Sequence, residues 1–152
     1  MIRESVSNRI LVGCVALGLL IAILSGLAEW VPWLDAFCAS LSDGCRETAR
    51  VTLFHLPIWI WGVALYGLLL VCFLRFPSWF FVVVAAVVGV ELTVVWVMFS
   101  MQAFCVFCIS NLLVILLILA FSLRREAPWM YVSVCLAFFI ASQLIISYEN
   151  GL

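Results

Sequence analysis

The chain has 152 residues, of which 68% are apolar and 10% charged, and its formal net charge is −1. A water-soluble globule of this size cannot hide so much apolar surface, and with no basic patch or base-stacking platform nucleic acid is not expected as a partner. Seven cysteines, an odd number, exclude complete internal pairing, so their positions carry more information than their count.

A bilayer core ~30 Å thick takes roughly 20 apolar residues in a helix. Five segments reach that length, at 10–28, 57–74, 79–101, 104–123 and 129–147. The first is longer than the apolar part of a signal peptide. No small-x-small cleavage site follows it, because Ala28 leads straight into Glu29 and Trp30, so a retained helix is expected. Basic residues near helix ends set orientation. With the N-terminus inside, Arg3, Arg9, Arg75, Arg124 and Arg125 fall on the inner side, and Arg46 and Arg50 on the outer side. That arrangement puts the loop 29–56, the turn near Met101 and the C-terminus outside. The inner connections, 75–78 and 124–128, are short enough to make neighbouring helices antiparallel. The reading is an all-α integral membrane protein with one transmembrane domain over 1–152, crossing the membrane several times.

The outer loop, without regular spans of its own, opens with Glu29-Trp30-Val31-Pro32-Trp33-Leu34. Such a stretch suits the headgroup layer, where an indole buries its rings and keeps its N–H wet, and it equally suits a lid over the bundle. Cys14, Cys72 and Cys135 lie inside apolar spans, where cysteine usually behaves as a small hydrophobe. The other four are on the outer side. Cys38 and Cys45 have six residues between them, and Ser42-Asp43-Gly44 supplies turn chemistry that brings the thiols together. Cys105 and Cys108 form Cys-x-x-Cys at the outer start of the fourth span. A helix N-terminus presents unpaired N–H groups and partial positive charge, which favour the reactive thiolate. The two-residue spacing lets that pair close into a disulfide across one helical turn. Every cysteine with a plausible partner therefore faces the side where disulfides persist. Two structural disulfides are the plainer reading of the same residues. The spacing is not that of a zinc finger, so no metal site is expected.

The order of these features resembles the vitamin K epoxide reductase family. The matching residues are Cys38 and Cys45 in the loop, Leu56-Pro57-Ile58 with Gly62 entering the second span, and Cys105-Val106-Phe107-Cys108 opening the fourth. The resemblance covers 10–123 and implies a four-helix transmembrane bundle around a quinone such as menaquinone or ubiquinone. Residues 129–147 would add a fifth, peripheral transmembrane helix, as in bacterial members, where it leads to a thioredoxin-like domain. It implies that Cys38 accepts electrons from a separate thioredoxin-fold partner in the periplasm, that Cys45 passes them to Cys105, and that Cys108 faces the quinone. The site would be that of an oxidoreductase of the bacterial inner membrane, with its N-terminus in the cytoplasm. Asn111, near the position of a family tyrosine that here is Leu112, is the candidate for holding the quinone; Trp59, Trp61, Phe104 and Phe107 would line its pocket. Thr48 or Thr52 would fill the place of a family hydroxyl residue. Glu91, an ionisable residue midway along the third span, would deliver a proton to the reduced quinone, or else hydrogen-bond a neighbouring helix. His55 is a candidate relay or an interfacial residue. Another bacterial fold runs the same reaction but has Cys-x-x-Cys first, the reverse of the order here. The competing functional class is a membrane carrier of a soft metal ion, for which thiolates are suited ligands; an inert structural subunit is the third.

Overall fold

The protein is described here from a computed structural model. It describes residues 2–41, 51–122 and 128–150. Cys45, Thr48, Arg46, Arg50, Arg124 and Arg125 lie outside the described residues.

Helix α1 runs Ile2–Leu27, beginning before the expected apolar span. Its last turn tightens, with Trp30 N–H donating to the Leu27 carbonyl at 3.0 Å and Glu29 N–H to Gly26 at 3.2 Å. Proline cannot continue a helix but is preorganised to start one. Pro32 accordingly opens a second helix, α2, Pro32–Leu41. Val31 caps it, its carbonyl accepting from Leu34 at 3.0 Å and Asp35 at 3.1 Å, and the Asp35 carboxylate in the first turn suits the positive helix end. The loop expected without regular structure therefore contains an amphipathic helix. Leu34 and Cys38, four apart on one face, are buried, while Trp30, Trp33 and Phe37 are exposed.

The same segment ends in a two-stranded antiparallel hairpin, β1 Thr52–Leu53 with β2 Leu56–Pro57, pairing Leu53 with Leu56 and Thr52 with Pro57. Its two-residue turn, Phe54-His55, has φ of 53° and 59°. Positive φ at both positions is what a tight hairpin turn demands, although neither residue is the usual glycine or asparagine. The Trp61 indole N–H donates to the Leu53 carbonyl at 2.8 Å, and Phe54 packs on Trp61 with ring centroids 5.7 Å apart. These contacts fix the hairpin to the next helix.

Helix α3 spans Ile58–Arg75 and α4 spans Pro77–Met101, joined through Phe76 alone, with Pro77 starting α4. Gln102 ends α4 in the left-handed conformation, φ 52°, its N–H donating back to Met98 and Phe99. Helix α5 covers Val106–Ser122 and α6 covers Pro128–Asn150. Helices α1, α3, α4 and α5 close a ring in which each packs on the next, α1 on α3, α3 on α4, α4 on α5 and α5 on α1. The core between them includes Leu11, Val15, Tyr66, Leu69, Val84, Val87, Ile115 and Ile118. Cys72 is buried in this core, with Cys14 and Cys135 packed against it. Helix α6 lies outside the ring, against α4.

Four helices are long and apolar enough to cross a membrane, in the stretches Asn8–Leu27, Ile58–Arg75, Pro77–Met101 and Trp129–Tyr148. This is the pattern of a multi-pass membrane protein. The fourth expected span corresponds to the shorter apolar helix Val106–Ser122. It starts two residues later than expected because Cys105 caps it. At ~1.5 Å per residue its 17 residues reach about 25 Å.

The outer helix is held by close approach. A Cβ on Gly89 would stand 2.4 Å from the Cys135 carbonyl oxygen and 3.0 Å from the Phe139 nitrogen, so only glycine lets α4 and α6 touch there. One turn on, the buried Thr93 and Ser142 hydroxyls are 2.6 Å apart. Small residues and shared hydroxyls are how helices associate where no hydrophobic force separates protein from lipid.

Candidate functional site

At the end of the ring where α2 and the hairpin sit, the structure holds a cavity of about 530 Å³, within the range of small-molecule sites. Helix α1 gives it Ala22 and Ser25; the turn after α1 gives Glu29 and Val31; α2 gives Pro32, Asp35 and Cys38. Helix α3 contributes Trp59, Trp61 and Gly62, and α4 contributes Val90, Glu91 and Val94. Cys105, with Phe107, Cys108 and Asn111 from α5, forms another wall, and Ile146 of α6 closes a gap. The structure thus brings Cys38, Cys105, Cys108, Asn111, Trp59, Phe107 and Glu91 to one space. Cys45 lies outside the described residues.

Cys105 sits at the cap position of α5. Its carbonyl accepts the first intrahelical bond, from Ile109 at 3.1 Å, and its own N–H points at the Met98 sulfur, 3.4 Å away. It is 2% exposed. Cys108 lies in the first turn of the same helix, half-buried. Both stand as thiols. Cys38 is disulfide-bonded and 1% exposed. The expectation of an irregular loop around Cys38 is therefore corrected: Cys38 is on α2, its side chain turned inward on the face it shares with Leu34.

The polar lining is sparse, and part of it lacks hydrogen bonds. Among the described residues, the buried Trp59 indole N–H and Asn111 side-chain oxygen have no hydrogen-bond partner. Trp59 can lie there because Gly26 on α1 leaves room for its ring; a Cβ on Gly26 would be 2.5 Å from the indole. Asn111 keeps its backbone carbonyl occupied by the Tyr66 hydroxyl, at 3.4 Å. A buried donor or acceptor left unmade costs ~1–3 kcal/mol, and native proteins seldom tolerate one without reason. Glu91 is 8% exposed, and no hydrogen bond or ion pair joins it among the described residues. Trp61 also faces the cavity, but its N–H is spent on Leu53.

Other expected residues stand elsewhere. Phe104 packs edge-on against Phe99, ring centroids 5.5 Å apart, away from the cavity. His55 is exposed in the hairpin turn, and Thr52 is in β1. Ser25, Glu29 and Asp35 line the cavity and were not singled out from sequence. Asp35 carried a signal: on a helix, a residue three before Cys38 shares its face. Among the described residues, no group of three or more His, Cys, Asp or Glu side chains is arranged to hold a metal ion. No protein-family model, curated protein or solved structure matches the chain.

Proposed function

We propose that the protein is a membrane thiol oxidoreductase that takes electrons from a thioredoxin-fold partner and reduces a quinone, supporting disulfide formation. The observation that carries this reading is the convergence of Cys38, Cys105 and Cys108 on one ring-sized cavity whose walls also hold an unpaired donor and an unpaired acceptor. The order of cysteine pairs, resembling the vitamin K epoxide reductase family, supports the same assignment.

The residues present fit a quinone. Trp59 N–H would donate to one ring oxygen. The Asn111 amide would face another, offering NH₂ to a carbonyl or its oxygen to a hydroxyl, so it serves both redox forms. A bound quinone supplies the two-electron sink; the protein supplies thiolate, position and a largely apolar pocket. Cys105 and Cys108 form the inner pair, with Cys108 facing the ring. Cys38 and Cys45 form the outer pair, which exchanges with the partner. Exchange needs an attacking thiolate in line with an accessible sulfur, so α2 must lift from the bundle for a partner to reach Cys38. The arginine bias supports a cytoplasmic N-terminus and a periplasmic site in a bacterial inner membrane.

The test is direct. Purified protein receives a reduced thioredoxin-like protein and a soluble quinone analogue, and quinone absorbance is followed. Turnover in wild type and its loss in Cys108→Ala are expected. No wild-type turnover, or full turnover in Cys108→Ala, overturns the reading; thiolate-to-metal charge-transfer absorption in the purified protein would favour soft-metal carriage instead.

A further inference from the structure

Glu91 has no task in the packing of the bundle. It sits midway along α4, 8% exposed, where an ionisable side chain is expensive. Its carboxyl makes no hydrogen bond or ion pair among the described residues, yet it walls the cavity shared by Cys105, Cys108, Trp59 and Asn111. A carboxyl kept only for structure would be expected to bond a neighbouring helix, as Thr93 and Ser142 do two residues along.

The reaction under the proposed function supplies a task. Dithiol oxidation coupled to quinone reduction moves two electrons and two protons, and cysteine reacts as thiolate. One thiol must therefore part with its proton before the electrons move, and a largely apolar cavity wall offers few groups to take it. Among the described residues, three carboxyl groups line the space: Glu29, Asp35 and Glu91. Glu29 is exposed at the rim. Asp35 is only half-buried on α2 and already has an interaction partner. Glu91 is the deep one. The remaining titratable groups near it are Cys38, held in a disulfide, the two thiols themselves, and Tyr66, whose hydroxyl is given to the Asn111 carbonyl.

Resting on that proposed function, we infer that Glu91 is the proton store of the cavity, receiving a proton from the Cys105/Cys108 pair and giving it to the quinone oxygen. As a carboxylate, Glu91 accepts the proton of the first thiol and leaves a thiolate. When the Cys105–Cys108 disulfide closes, two electrons leave the sulfurs, Glu91 releases its proton, and the second thiol releases its own. Dithiol plus quinone becomes disulfide plus quinol; Glu91 holds the first thiol's proton in the dithiol state and is a carboxylate once the disulfide has closed. Charge within the cavity stays constant throughout, which a low-dielectric site requires.

The experiment combines infrared difference spectroscopy with kinetics on the full chain in lipid nanodiscs. Wild type labelled with isotopic glutamate should show a glutamic acid carboxyl band that appears or disappears between the dithiol and disulfide states, and E91Q should lack it. E91Q should lose about a hundredfold in the rate of quinol formation while its quinone affinity, read by tryptophan quenching, stays within about twofold of wild type. E91D should recover part of the rate. No glutamate band in wild type, or E91Q turning over at the wild-type rate, overturns the inference. If E91Q does not fold, the wild-type band alone decides. Wild type without turnover would instead sink the oxidoreductase reading, so the two failures are distinguishable.

Discussion

Replacing Asn111 with leucine should raise the stability of the ligand-free protein and weaken its hold on a quinone. The Asn111 side-chain oxygen is buried with no partner among the described residues, a condition that costs ~1–3 kcal/mol. Leucine resembles the amide in branching and leaves no acceptor stranded, and the adjoining cavity has room for its extra bulk. The Tyr66 hydroxyl bonds the backbone carbonyl at position 111, so that contact survives. The net gain should be about 1 kcal/mol after some cost for repacking. The hydrogen bond that Asn111 would give a ring oxygen is worth ~0.5–1.5 kcal/mol, so quinone affinity should fall about two- to tenfold. Both quantities can be read from one sample in nanodiscs: thermal unfolding without ligand, then tryptophan quenching with a soluble quinone analogue. A less stable N111L protein that binds quinone as wild type does would refute the reasoning, because Asn111 would then be a structural residue whose bond lies elsewhere.

Two further outcomes follow from packing. Gly89→Ala places a methyl against backbone atoms of α6 that cannot move independently; it should destabilise the protein by about 1–3 kcal/mol in a reversible denaturation experiment in micelles. His55→Asn keeps a side chain at φ 59° but uses a residue that tolerates left-handed backbone. It should stabilise the hairpin by about 0.5–1 kcal/mol, checked by slower amide exchange at Leu53 and Leu56.

The long helices were legible because run length and proline placement are strong signals: Pro57 precedes α3 and Pro77 opens α4. Cys-x-x-Cys at a helix start was legible for the same reason, since four residues in sequence determine it. Helix α2 was not, because its ten residues are too few to separate a short amphipathic helix from an aromatic interfacial loop, and its burial of Leu34 and Cys38 depends on what lies beneath. The hairpin was hidden by its turn; Phe54-His55 offers none of the glycine or asparagine that announces such a bend, and Trp61 must hold it from a distance. The cavity is a property of six helices and a turn at once. Glu91 could be flagged as costly from its neighbours in sequence, but its meeting with Trp59 and Asn111 required coordinates.

Helix α4 is a party wall. Gly89 and Thr93 face the outer helix while Glu91, between them, faces the chamber, and Ile146 of the outer helix reaches past to plug the same chamber. A substitution that pries the outer helix, α6, loose would therefore do more than shed a neighbour. It would open a side door from the chamber to the lipid, and a ring with a greasy tail could come and go there without passing beneath the tryptophan-studded cap.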